Sequence, residues 1–180
     1  MTAGRVVVLL LAGAILLPAC LLAQEDHIIQ ELPPAANQPP RIREDVLLPA
    51  NRFVTVRNGS DCPNLAFSAA VSDPDLGDLL TYNYYVDPDL FPPFVKQAQI
   101  PPNGQADRSE PATYEVSFAT PGPLQQPGDH VVEVLVSDGA LVNRDPQPRQ
   151  IILLDGGIGF EPTYAVTYAW TVTTVAGPCQ

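Results

Sequence analysis

Positive charge is scarce in this chain. Nine lysines and arginines stand against 20 aspartates and glutamates, for a formal net charge of −11 at pH 7. That balance excludes a nucleic-acid partner, and an anionic lipid headgroup recognised by charge. Histidine is nearly missing, with only 2 copies, too few for a Ser-His-Asp triad or a histidine-based zinc site at normal spacing. No Gly-x-Ser-x-Gly elbow, glycine-rich phosphate loop or zinc-type cysteine spacing occurs. Beyond the first twenty residues, no stretch keeps apolar residues at helical spacing for ten residues without a proline or glycine. Later apolar runs such as Ile151–Leu154 are too short for a second membrane span. What the chain does contain is 21 prolines and 12 glycines, the composition of many turns and little helix.

The one long apolar run lies at the start. Arg5 is followed by twelve uninterrupted apolar residues, Val6–Leu17. A bilayer-spanning helix needs about 20, so the basic start and short apolar stretch predict an export signal. The run stops at Leu17-Pro18-Ala19-Cys20, which resembles the lipobox of bacterial lipoproteins: a leucine three before, and a small residue one before, a cysteine. The resemblance implies that residues 1–19 are a removed signal peptide. It also implies that Cys20 is the lipidation site, with diacylglycerol on its thiol and an acyl chain such as palmitate on its new amino terminus. Pro18 departs from the family pattern, whose middle position is usually small or β-branched. The alternative is an ordinary signal cut after Ala23, with Cys20 discarded. Removing residues 1–19 takes Arg5 away and leaves 8 basic against 20 acidic side chains, a charge of −12. About 160 residues remain, enough for one domain with its own core.

Apart from Cys20, the cysteines are Cys62 and Cys179, and two cysteines in an exported domain are expected to pair. Their bond would close a loop of over a hundred residues, contributing up to about 4–5 kcal/mol by loop entropy. Residues 20–36 read as the lipid anchor and a tether of mixed polarity. From Asn37 onward, residues 37–180 show short apolar–polar alternations between turn residues. Strands are expected at Val46–Leu48, Arg52–Val56, Leu65–Val71, Leu80–Val86, Thr113–Ala119, His130–Val136, Gln150–Leu154 and Tyr164–Val172, and Asp87–Ser109 reads as a surface loop. The fold class is therefore all-β: an antiparallel sandwich of about eight to nine strands.

Two stretches resemble bacterial Ig-like repeats of the cadherin-like and PKD-like kind. They are FSAAVSDPDLGDLLTYNYYVDP (Phe67–Pro88), similar to the B–C strand pair, and PGDHVVEVLVSDGALV (Pro127–Val142), similar to the F strand. Asn37-Gln38-Pro39-Pro40 resembles the way such repeats begin. The resemblance implies an Ig-like fold and says less about function. The Trp-Asp-Phe-Gly-Asp-Gly hallmark of PKD domains is absent, only one copy occurs, and the tail from Gly156 to Cys179 exceeds a standard repeat by about one strand.

Asp73, Asp75 and Asp78 in SDPDLGD form the densest carboxylate group. Calcium takes six to eight oxygens, and some cadherin-like domains draw aspartates from this position. The same residues also make a metal-free turn, in which aspartate bonds backbone N–H groups and Gly77 relaxes the chain. Asp138-Gly139 is a second turn signal that lies nearby if both sit at one end of the sandwich. His130 takes the place of a corner tyrosine and reads as packed and hydrogen-bonded. Alternation turns Tyr82, Tyr84 and Trp170 inward and leaves Tyr85 as the aromatic residue most open to a ligand. No catalytic residues and no cofactor other than calcium are expected. The resulting expectation is a membrane-anchored envelope lipoprotein that binds or supports another envelope protein or a glycan. The alternative is a calcium-dependent adhesive or carbohydrate-binding module. Leu21 lacks the aspartate that retains some lipoproteins in the inner membrane, so the expected location is the outer membrane.

Overall fold

The computed structural model describes residues 36–88, 94–108, 111–153 and 155–179. Cys20 and the rest of residues 1–35, including the signal and most of the tether, lie outside the described residues. Among these residues the protein is all-β, with helix confined to short 3-10 turns such as Glu44–Val46 and Pro123–Gln125. Its strands are β1 Arg41–Ile42, β2 Phe53–Arg57, β3 Leu65–Ser68, β4 Val71–Ser72, β5 Leu80–Val86, β6 Lys96–Ile100, β7 Thr113–Val116, β8 Gly128–Ser137, β9 Leu141–Val142, β10 Asp145–Pro146, β11 Arg149–Ile152, β12 Ile158–Glu161 and β13 Ala165–Val175.

Five strands form the main sheet, in the order β2-β13-β8-β5-β6. Valine alternation builds its centre: Val132, Val134 and Val136 of β8 face the core with Tyr82 and Tyr84 of β5 and Trp170 and Val172 of β13, all fully buried. Opposite them, β3 pairs with β7 and β4 with β1. Phe67 of β3 packs edge-on against Trp170, with ring centroids 5.4 Å apart. Buried apolar surface of this kind contributes about 25 cal/mol per Å².

The expected all-antiparallel pairing does not hold: β2 runs parallel to β13, in register from Phe53 with Thr171 to Arg57 with Val175. The cause is a change of layer. Leu48 exchanges two backbone hydrogen bonds with Ser68 of β3, at 2.9 and 2.7 Å, and five residues later Phe53 is already in the main sheet. The chain crosses without reversing, and Trp170 Nε1 donates to Pro49 O at 3.0 Å at the crossing. Val46–Leu48 is thus a turn and a single bridge instead of a strand.

Two further expectations change. Asp87–Ser109 is not only loop, because Lys96–Ile100 forms β6 on the free edge of β5. Its Lys-Gln-Ala-Gln-Ile sequence is mostly polar because an edge strand buries little, and polar edges resist unwanted pairing. Leu65–Val71 divides into β3 and β4, which pair with different strands. The connection from β8 to β13 carries two hairpins, β9–β10 and β11–β12, of which only β11 corresponds to an expected strand, Gln150–Leu154.

The first hairpin covers the outer face of β5, so all seven residues of that strand are buried. Arg144 sits over the Tyr85 ring at 4.6 Å and pairs with Glu133, while Tyr85 Oη donates to Asn143 O at 3.1 Å. Tyr85 is therefore 5% exposed instead of open to a ligand. Cys62 and Cys179 are bonded, with Cα atoms 4.9 Å apart. Beside the bond, Asn58 N donates to Val175 O and Gly59 N to Gly177 O, which prolongs the β2–β13 pairing to the chain end.

Candidate functional site

The acidic turn Ser72–Asp78 lies between β4 and β5. Asp73 Oδ1 accepts from Asp75 N at 3.0 Å, and Asp78 N donates to Asp75 O at 3.1 Å, so the aspartates build the turn they occupy. Asp75 Oδ2 reaches out to accept from Gln38 N at 2.6 Å. Asp73, Asp75 and Asp78 each offer an oxygen, all within 4.8 Å of one another; Asp73 and Asp78 are buried. Burial pushes the Asp73 carboxyl above the ordinary carboxylate range. The charges of Asp78 and Asp75 push the same way, against the Asp75 N–H and Arg108.

Arg108 is the residue that sequence reasoning missed. It is 1% exposed, and its guanidinium points into the turn. Nη2 donates to Asp75 O at 3.1 Å and Asp78 O at 3.3 Å, and Nη1 to Asn103 Oδ1 at 3.2 Å and Leu76 O at 3.5 Å; Asp73 Oδ2 lies 3.8 Å from Nη2. Backbone bonds from Arg108 N to Val71 O and from Asp73 N to Ala106 O fix it there. These carbonyls are the kind a calcium loop gives to its ion, and here a guanidinium takes them. Nothing local marks an arginine inside a proline-rich stretch as buried; only the β4–Asp107 bridge brings it home.

The same end of the molecule gathers Asp138, Asn37 and Arg149. Asp138 Oδ1 accepts from Tyr164 N at 2.6 Å and Oδ2 from Asn37 Nδ2 at 2.9 Å, and Asn37 Nδ2 also donates to Pro162 O. Burial raises the Asp138 carboxyl, held back by the Tyr164 and Asn37 bonds, and the nearby charge of Asp78 raises it further. Arg149 pairs with both Asp78 and Glu161, and those bonds drive its guanidinium well above the ordinary arginine value. Asp73, Asp75, Asp78 and Asp138 thus surround two guanidiniums, with Asp73 Oδ2 and Asp78 Oδ2 lacking a hydrogen-bond donor among the described residues. The cluster ties the Asn37 segment, the β4–β5 turn, the end of β8 and the base of β11–β12 into one knot.

His130 lies at the opposite end of β8, with Nδ1 2.8 Å from Asp87 Oδ2 and Nε2 2.8 Å from Gln126 O. Tyr82, Tyr84 and Trp170 are core residues. Compared with known proteins, the chain matches no family model, no curated protein and no solved structure.

Proposed function

We propose that the chain is a bacterial envelope lipoprotein, held by acyl groups on Cys20, that presents an Ig-like domain to another envelope protein or a glycan. The observation that carries this is the Leu17-Pro18-Ala19-Cys20 stop after a twelve-residue apolar run. Two further findings support it. The Cys62–Cys179 bond uses two of the three cysteines and suits an oxidising compartment. The strand order β13-β8-β5-β6 suits the G, F, C and C′ positions of an Ig-like sheet, with β2 beside the last strand. The role is binding or structural, not catalytic, and the outer membrane is its location. Several acyl chains on one residue hold a protein durably where a single chain is marginal. Mass spectrometry of the intact N-terminus tests it: an acylated Cys20 is expected, and an unmodified Gln24 terminus overturns the anchor. Crosslinking and pull-down of the intact chain then identify what the domain touches.

A calcium-dependent adhesive or sugar-binding role is the second reading, favoured by the two oxygens of Asp73 and Asp78 without donors. Against it, Arg108 already supplies a cation to the turn. The expected result of adding millimolar calcium is an unchanged melting temperature; a clear rise supports the second reading.

A further inference from the structure

The β11–β12 hairpin has two unlike faces. Cross-strand pairing puts Ile152 beside Ile158 and Gln150 beside Phe160 on one face, and Arg149 beside Glu161 and Ile151 beside Gly159 on the other. On the first face, Ile152, Phe160 and Ile158 are 84%, 71% and 66% exposed, although neighbouring strands bury far smaller apolar side chains. No other described strand pairs with the hairpin. Arg149 and Glu161 are on the second face, where they neutralise each other, and the remaining charge, the exposed Asp155 carboxylate, is at the turn. Within the turn, Leu153 N donates to Gly157 O and Gly156 N to Leu153 O, both at 2.8 Å, and Gly157 N donates to Asp155 Oδ1 at 2.9 Å.

The location of this face matters as much as its composition. Asn37 Nδ2 is 2.9 Å from Pro162 O, the residue that directly follows β12. The segment leading back to Cys20 therefore leaves the domain at the base of the hairpin. Residues 21–36 number sixteen, a reach of at most roughly 55 Å when fully extended.

We propose that the Ile152–Ile158–Phe160 face lies in the interfacial layer of the membrane that carries the Cys20 anchor, an inference that rests on the anchor reading above. Apolar side chains on a neutral face gain by leaving water for the headgroup–acyl boundary. The turn's own bonds satisfy groups at its tip, while the unpaired outer edges of β11 and β12 keep the hairpin at the hydrated boundary and out of the hydrocarbon core. With no lysine or arginine on this face, contact does not depend on anionic lipid. A second copy of the chain fits less well, because stable interfaces use about 20–30 residues a side and this face offers three large apolar ones.

The test uses the full chain, purified with its lipid and reconstituted in phosphatidylcholine vesicles. In an F160W variant the introduced indole replaces an exposed ring, while Trp170 stays buried as an internal reference. Expected are a blue-shifted emission and about twofold quenching by lipids brominated on their acyl chains, with shielding from iodide. Adding I152D and I158D should abolish that quenching while the protein still floats with the vesicles. An indole quenched by iodide but not by brominated lipid, in floating protein, overturns this proposal and leaves the anchor intact. A shielded indole without lipid quenching, together with cross-linked pairs of chains, overturns it in favour of a second copy. Protein that does not float and lacks acyl mass on Cys20 overturns the anchor reading and this proposal with it.

Discussion

Arg108 and His130 carry the sharpest consequences at the scale of single residues. Each joins a partner close in sequence, Asn103 for Arg108 and Gln126 for His130, to acceptors 30 to 43 positions away. An R108M substitution leaves the carbonyls of Asp75, Leu76 and Asp78 and the Asp73 carboxylate without their cation. Breaking a buried pair in this way typically costs about 3–5 kcal/mol. The expected outcome is a lower urea midpoint at unchanged m-value. For His130, burial opposes the charged ring, but the bonds to Asp87 and Gln126 and the charges of Asp87 and Asp129 outweigh it and raise its pKa above 6.5. The folded state therefore holds the proton more tightly than the unfolded state. Its contribution to stability is complete below about pH 6.5 and disappears as pH rises through the raised native value. D87N should lower the NMR titration midpoint of His130 and flatten the decline of melting temperature across that window.

At the scale of elements, the alternating valines of β8 and the Tyr-x-Tyr of β5 announce their strands and their inward faces, because period-two burial is written locally. The direction of β2 and the existence of β6 are not written locally. β2 is parallel because the chain changes layer at Leu48–Phe53 without turning back. β6 is a mostly polar edge whose pairing is supplied by β5. The end of the β2–β13 ladder yields a prediction of its own. A Cβ on Gly59 would lie 2.7 Å from Gly177 O and 2.8 Å from Pro178 Cα, backbone atoms held by the adjacent disulfide segment. G59A is expected to destabilise by about 1–3 kcal/mol through overpacking, measured as a lower thermal midpoint.

At the scale of the whole molecule, the Cys62–Cys179 bond spans 117 positions and fastens the last strand to the segment before β3. A C62A/C179A double variant should lose roughly 2–5 kcal/mol. The same loss should appear on reduction of the wild type and be absent when the variant is treated with reductant. The knot around Asp138, Asn37 and Arg149 fastens the other end, so the two ends of the domain are secured by different chemistry: a covalent bond at one and charge-assisted hydrogen bonds at the other.

Sequence alone determined the all-β class, the inward faces of the central strands, the Cys62–Cys179 pairing and the aspartate-built turn. Each depends on residue type at short spacing, except the pairing, which follows from expecting Cys20 to be used or removed at the N-terminus. Only the tertiary structure decided that Arg108 fills the Asp73–Asp78 turn, that Arg144 buries Tyr85, and that Asn37 emerges beside the β11–β12 hairpin. Those contacts join residues 30 to 125 positions apart, and no local pattern encodes a partner at that distance. Their energy comes from burying charge and aromatic surface together once the strands have already brought them into reach.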